Sequence, residues 1–106
     1  MDRLEQLNEF LKDSPNDPFL HYALAQEWYK LGDTQLAQEK YEYLIKEHPK
    51  YVATYYHLGK LLQEKGEKEN ALEMYSQGIQ VAQQVGEQHS LSELQSAKLE
   101  LEFDDD

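Results

Sequence analysis

Side chains able to act as acids, bases or metal ligands are sparse in this sequence. The four histidines, His21, His48, His57 and His89, never form a His-x-x-x-His pair, and no Asp/Glu/His cluster has metal-ligand spacing. There is no cysteine, which removes thiolate chemistry and disulfides together. His57 and Glu64 lie two helical turns apart on one face, but surface composition alone accounts for such a pair. There is no glycine-rich phosphate loop, no ordered Ser/His/Asp set and no basic aromatic patch for single strands. What recurs at a usable spacing is tyrosine, whose chemistry is recognition rather than turnover: large area, a polar tip and little entropy to lose. Phe19, Tyr22, Gln26 and Tyr29 follow one another at steps of three, four and three. Thirty-four residues on, the corresponding positions are Ala53, Tyr56, Lys60 and Gln63, with His57 and Glu64 alongside. The expectation is a non-catalytic protein with no cofactor or metal. Its partner-binding candidates are Phe19, Tyr22, Gln26, Tyr29, Tyr56, His57, Lys60 and Gln63.

Such steps place side chains on one face only if the chain is helical. Leu4, Leu7 and Leu11 put one apolar stripe on a helix over 2–12, with Phe10 beside them. Ser14-Pro15-Asn16-Asp17-Pro18 breaks it, with Asp17 suited to cap the next helix and Pro18 to open it. Over 17–31, His21, Leu24, Trp28 and Leu31 form the core stripe, and Gly32 ends the helix. Asp33 caps a third helix, 34–47, whose inner face is Leu36, Ala37, Tyr41, Leu44 and Ile45. His48-Pro49-Lys50 closes it. A fourth helix, 51–65, buries Tyr55, Leu58 and Leu62, with Gly59 marking close contact between paired helices, and Gly66 follows. The fifth, 68–85, runs past Gln83, where Pro15 and Pro49 would predict a break, and stops at Gly86. A sixth, 88–101, has Leu91, Leu94, Ala97 and Leu101 inward, with Ser90 and Glu93 spaced as a capping box. Phe103 and the acidic tail 104–106 are expected to fray.

The repeat behind this order is explicit. Tyr55-x-x-Leu58-Gly59-x-x-Leu62, Gly66 and Ala71-x-x-x-Tyr75 reproduce, at a period of 34, His21-x-x-Leu24-Ala25-x-x-Trp28, Gly32 and Ala37-x-x-x-Tyr41. The pattern resembles the tetratricopeptide (TPR) repeat. The likeness covers about 18–82 directly, with 1–17 as a half-repeat. The resemblance implies an all-α fold: a TPR-like α-α superhelix, a right-handed stack of antiparallel helix pairs. Its expected parts are an N-terminal cap (1–17), repeat one (18–51), repeat two (52–85) and a C-terminal capping helix (86–103), forming a single domain over 1–103. It also implies a concave face built by the first helix of each pair, which binds a peptide or helical segment of a partner protein. Some TPR proteins grip a C-terminal carboxylate there with lysine, arginine and asparagine. Here only Lys60 and His57 resemble such a set, while Tyr22, Ala23 and Gln26 occupy the neighbouring positions.

The totals narrow the partner. In 106 residues, 21 acidic side chains against 10 basic ones leave a formal charge of -11. That charge repels phosphate backbones and anionic lipid heads, so neither nucleic acid nor membrane is expected and a neutral or basic protein segment is favoured. No apolar run approaches a membrane span, and the acidic N-terminus lacks a signal peptide's basic start, so a soluble, cytoplasmic protein is expected. The alternative to an adaptor is a self-assembling structural protein, pairing through its stack ends or its tyrosine-rich face. Monomer and weak homodimer correspond to these two readings.

Overall fold

The computed structural model describes residues 2–104, and the Asp105–Asp106 end of the expected tail lies outside them. Six helices and no strands are present among the described residues: α1 Arg3–Asp13, α2 Pro18–Lys30, α3 Thr34–Glu47, α4 Ala53–Glu64, α5 Lys68–Val85 and α6 Gln88–Glu102. The chain divides into two compact units, Met1–His48 and Pro49–Asp106.

In the first unit, Asp17 caps α2 by accepting from the Phe19 amide at 2.9 Å, and Asp33 caps α3 by accepting from the Leu36 amide at 3.0 Å. Between them the chain reverses over three residues. Gly32 sits at φ +89°, where only glycine is at ease. Its amide donates to the Tyr29 carbonyl, and the Asp33 amide donates to that of Trp28. This pair of bonds satisfies carbonyls that the helix end would orphan. Leu31 was expected on the core stripe but is 59% exposed. It is the C-cap of α2, and from there the chain turns away instead of extending the helical face. Trp28 is half-buried, so the α2 core is Leu20, His21, Ala23, Leu24 and Ala25. α1 lays Leu7 among Leu20, Ala23 and Leu24, with Leu4 and Leu11 flanking, while Phe10 stays exposed. Burying Leu7 alone contributes roughly 1.5–3 kcal/mol of gross transfer energy.

The second unit repeats the turn. Gly66 is at φ +81°, its amide donates to the Gln63 carbonyl, and the Glu67 amide donates to that of Leu62. α4 and α5 meet where Gly59 faces the ring of buried Tyr75. A Cβ at Gly78 would lie 2.6 Å from Tyr55 Cβ and 3.0 Å from the Leu94 methyls, so α6 closes on α5 at the same point. Leu94, Ala97 and Leu101 are the buried face of α6. The expected Ser90/Glu93 capping box does not form. α6 begins two residues before Ser90, its N-cap is Glu87, and no side chain bonds the first turn. The chain end is tied down as far as Asp104, whose carbonyl accepts from Lys68 Nζ at 2.8 Å.

One tether recurs at the repeat period. His21 Nε2 donates to the Pro15 carbonyl at 2.7 Å, and Tyr55 Oη donates to the Pro49 carbonyl at 2.6 Å. In both units a ring from the first helix of the pair fixes the proline turn that precedes it.

Candidate functional site

On α2 the candidates form a ladder. Leu20, Ala23 and Leu24 face α1 and the core, which leaves Phe19, Tyr22, Gln26 and Tyr29 on a separate face of the helix. Phe19 is 53% and Tyr29 40% exposed, Gln26 is exposed and Tyr22 is half-buried. Gln26 Nε2 donates to Tyr22 Oη at 3.0 Å. The Tyr22 ring lies 6.4 Å from that of Tyr41, a buried α3 residue. Burial first, then the nearby Tyr22 and Tyr29 hydroxyls, raises the Tyr41 pKa well above the ordinary phenol value. The structure thus brings the Tyr22 and Tyr41 rings together, with Tyr29 near enough to act on Tyr41 and Phe19 a turn from Tyr22.

On α4, Tyr56, His57, Lys60 and Gln63 are all half-buried. Lys60 Nζ stands over the Tyr56 ring, 5.5 Å from its centroid, and His57 meets the same ring edge-on at 5.4 Å. Gln63 is drawn partly inward: its Oε1 accepts from Tyr75 Oη at 2.9 Å. Desolvation lowers the His57 pKa below its usual 6.5, with Glu93 of α6 pulling the other way, so the ring is neutral at pH 7. Tyr75 is raised by burial first, then by Tyr56, Glu100 and Glu64.

The sequence reading overlooked what α6 adds. Tyr56 and Lys60 form one wall of a cleft of about 300 Å³ within the second unit, and Ser92, Glu93, Ser96 and Glu100 of α6 form the other. His89 and Ala97 complete it, with His89 Nε2 3.6 Å from a Glu93 carboxylate oxygen. The signal was present in the sequence: these polar residues recur every three or four positions beside the Leu94/Ala97/Leu101 stripe. The cleft sits at the low end of ligand-pocket sizes, roughly 300–1,000 Å³, and suits a protruding side chain better than a cofactor.

Comparison with known proteins adds a decisive match. The family model described as tetratricopeptide repeat matches residues 29–94. The chain belongs to the tetratricopeptide repeat family. A crystal structure of a TPR domain protein from Salinibacter ruber is similar to it at 49% identity, covering 81% of this chain and 96% of that one, with a TM-score of 0.78. A solution structure of a Salinibacter ruber TPR domain protein matches at 46% identity, covering 87% and 94%, with a TM-score of 0.82. A Bordetella parapertussis protein, 24% identical over 95% of this chain and 88% of its own, shares the fold with a TM-score of 0.80. No curated protein matches the sequence. The TPR fold is in general a protein–protein interaction module, and no helix among the described residues is long and apolar enough to cross a membrane.

Proposed function

We propose that this TPR protein is a non-catalytic adaptor that binds a peptide or helical segment of a partner protein, with the open face of α2 in the first unit and that of α4 in the second each offering a contact surface. The observation that carries this reading is the ladder on α2, where Phe19 and Tyr29 stay substantially exposed beside Tyr22 and Gln26. Large aromatic area left in water is costly unless another molecule covers it, and tyrosine hydroxyls and an amide can bond a peptide backbone at the same time. α4 supplies Tyr56, His57, Lys60 and Gln63 in the same helical register one repeat later. The acidic surplus favours a neutral or basic segment and disfavours nucleic acid or a lipid surface. No residue set among the candidates argues for catalysis, a cofactor or a metal, and the cytoplasm is the proposed compartment.

The test is capture of a defined peptide ligand by the full chain, compared with a Phe19→Ala/Tyr29→Ala variant. Both side chains are substantially exposed, so the variant retains its helical circular dichroism while affinity falls about tenfold or more, as for loss of central aromatic anchors. Undiminished affinity contradicts the reading.

Self-assembly is the second reading, favoured by the exposed Leu99 and Phe103 on one side of α6. Light scattering over a concentration range decides: a monomer throughout supports the adaptor. A dimer that dissociates on Leu99→Ser/Phe103→Ser supports assembly.

A further inference from the structure

The α4–α6 cleft has a chemistry of its own. One wall is the Tyr56 ring, and that ring already holds a cation, the Lys60 ammonium. The facing wall carries Glu93 and Glu100, seven residues apart on α6 and so about 10 Å apart along its axis. Ser92, Ser96 and Ala97 lie between or beside them and keep the gap open. Glu93 has the weak His89 contact, with His89 almost wholly in solvent and Glu93 about half exposed, and neither it nor Glu100 pairs with a lysine or arginine among the described residues. Their field reaches inward all the same. Glu93 acts on His57 of α4 and Glu100 on Tyr75 of α5, and both carboxylates line the cleft.

We propose that this cleft seats a basic side chain, arginine above all, projected by the partner segment that lies along α4; this specifies the partner of the interaction reading above and rests on it. A guanidinium is flat enough to stack on Tyr56 and carries five donors in a fixed fork, enough to reach the carboxylates at either end. Lys60, on its flexible stem, swings off the ring as the guanidinium arrives. An acidic side chain would meet two carboxylates against a single lysine, and an apolar one would strip water from both acids without return. The -11 net charge acts in the same direction, steering a basic segment towards the protein at low salt.

The experiment selects binders to the full chain from a random dodecapeptide library and titrates the tightest by fluorescence anisotropy. One arginine position is expected to be enriched. Replacing that arginine with citrulline, which keeps the shape and loses the charge, weakens binding to the native chain about tenfold or more. The same replacement changes binding to a Glu93→Gln/Glu100→Gln variant by no more than about twofold. Both glutamates are exposed, so that variant keeps its core. Ser96→Tyr, which fills the cleft and leaves the acids in place, lowers affinity for the arginine peptide alone. Peptides that share no basic residue, or a citrulline penalty that persists in the glutamine variant, overturn the assignment and leave the interaction reading standing. A dimer of the chain that dissociates in that variant overturns the assignment in favour of self-assembly, since the occupant is then a second copy. A library that yields no binder overturns both.

Discussion

Gly59 lies against the Tyr75 ring with no room for a side chain between them, and the packing of the second unit depends on that approach. Gly59→Ala would add a methyl inside the van der Waals envelope of a ring that is fully buried. Alanine gains about 1 kcal/mol as a helix former, while overpacking a tight core costs about 1–3 kcal/mol. Chemical denaturation should therefore show net destabilisation of up to about 2 kcal/mol, the opposite sign from an exposed helical glycine. His57 gives a prediction in pH. Its folded pKa lies below the usual 6.5, so the unfolded chain binds the proton more readily. The His57 contribution is present above about pH 6.5 and is lost as the pH falls through the lowered value. His57→Gln should flatten the acid limb of the stability profile between pH 7 and 5, read by urea melts at each pH. At this scale the sequence exposed the repeat's small residues and its caps, because Gly59, Gly66, Asp17 and Asp33 each do one local job. It did not expose Gln63 as the acceptor for Tyr75, or the pull of Glu93 on His57. Both contacts depend on how two helices rotate against each other, which no spacing within one helix records.

Each unit is built from elements that cannot stand alone. A TPR pair buries one side against its own partner helix and needs a further helix on the other. α1 meets that need for the first unit by placing Leu7 among Leu20, Ala23 and Leu24, and α6 for the second by placing Leu94 against Gly78. Removing residues 1–14 should strip roughly 3–6 kcal/mol of gross apolar burial, from buried Leu7 and half-buried Leu4 and Leu11, less the entropy of ordering that helix. The truncated chain is expected to melt over a broader range and well below the full chain in calorimetry. An equally sharp and equally high transition would mean that α1 is an ornament. Helix positions were legible to within two residues, since 3.6-residue periodicity, glycine stops and aspartate caps agree along the chain. The Ser90/Glu93 box was misread because its spacing fits a cap whichever residue starts the helix, and the Gly86 turn starts α6 earlier.

For the whole molecule, the family match and the two Salinibacter ruber structures make it a TPR protein, while its choice of partner is a property of its own surfaces. The α2 ladder could be read from the sequence because repeat arithmetic removes the core positions and leaves Phe19, Tyr22, Gln26 and Tyr29. The polar face of α6 is also visible in the sequence, but α6 departs from the repeat, so repeat arithmetic does not bring that face to Tyr56. The most direct measurement is a 1H–15N correlation titration of the full chain with a peptide selected on it. The account predicts that shifts concentrate at Phe19, Tyr22, Gln26 and Tyr29 of α2 and at Tyr56 and Lys60 of α4, with α3 unmoved. Shifts confined to α3, or to the Leu99/Phe103 side of α6, would contradict it.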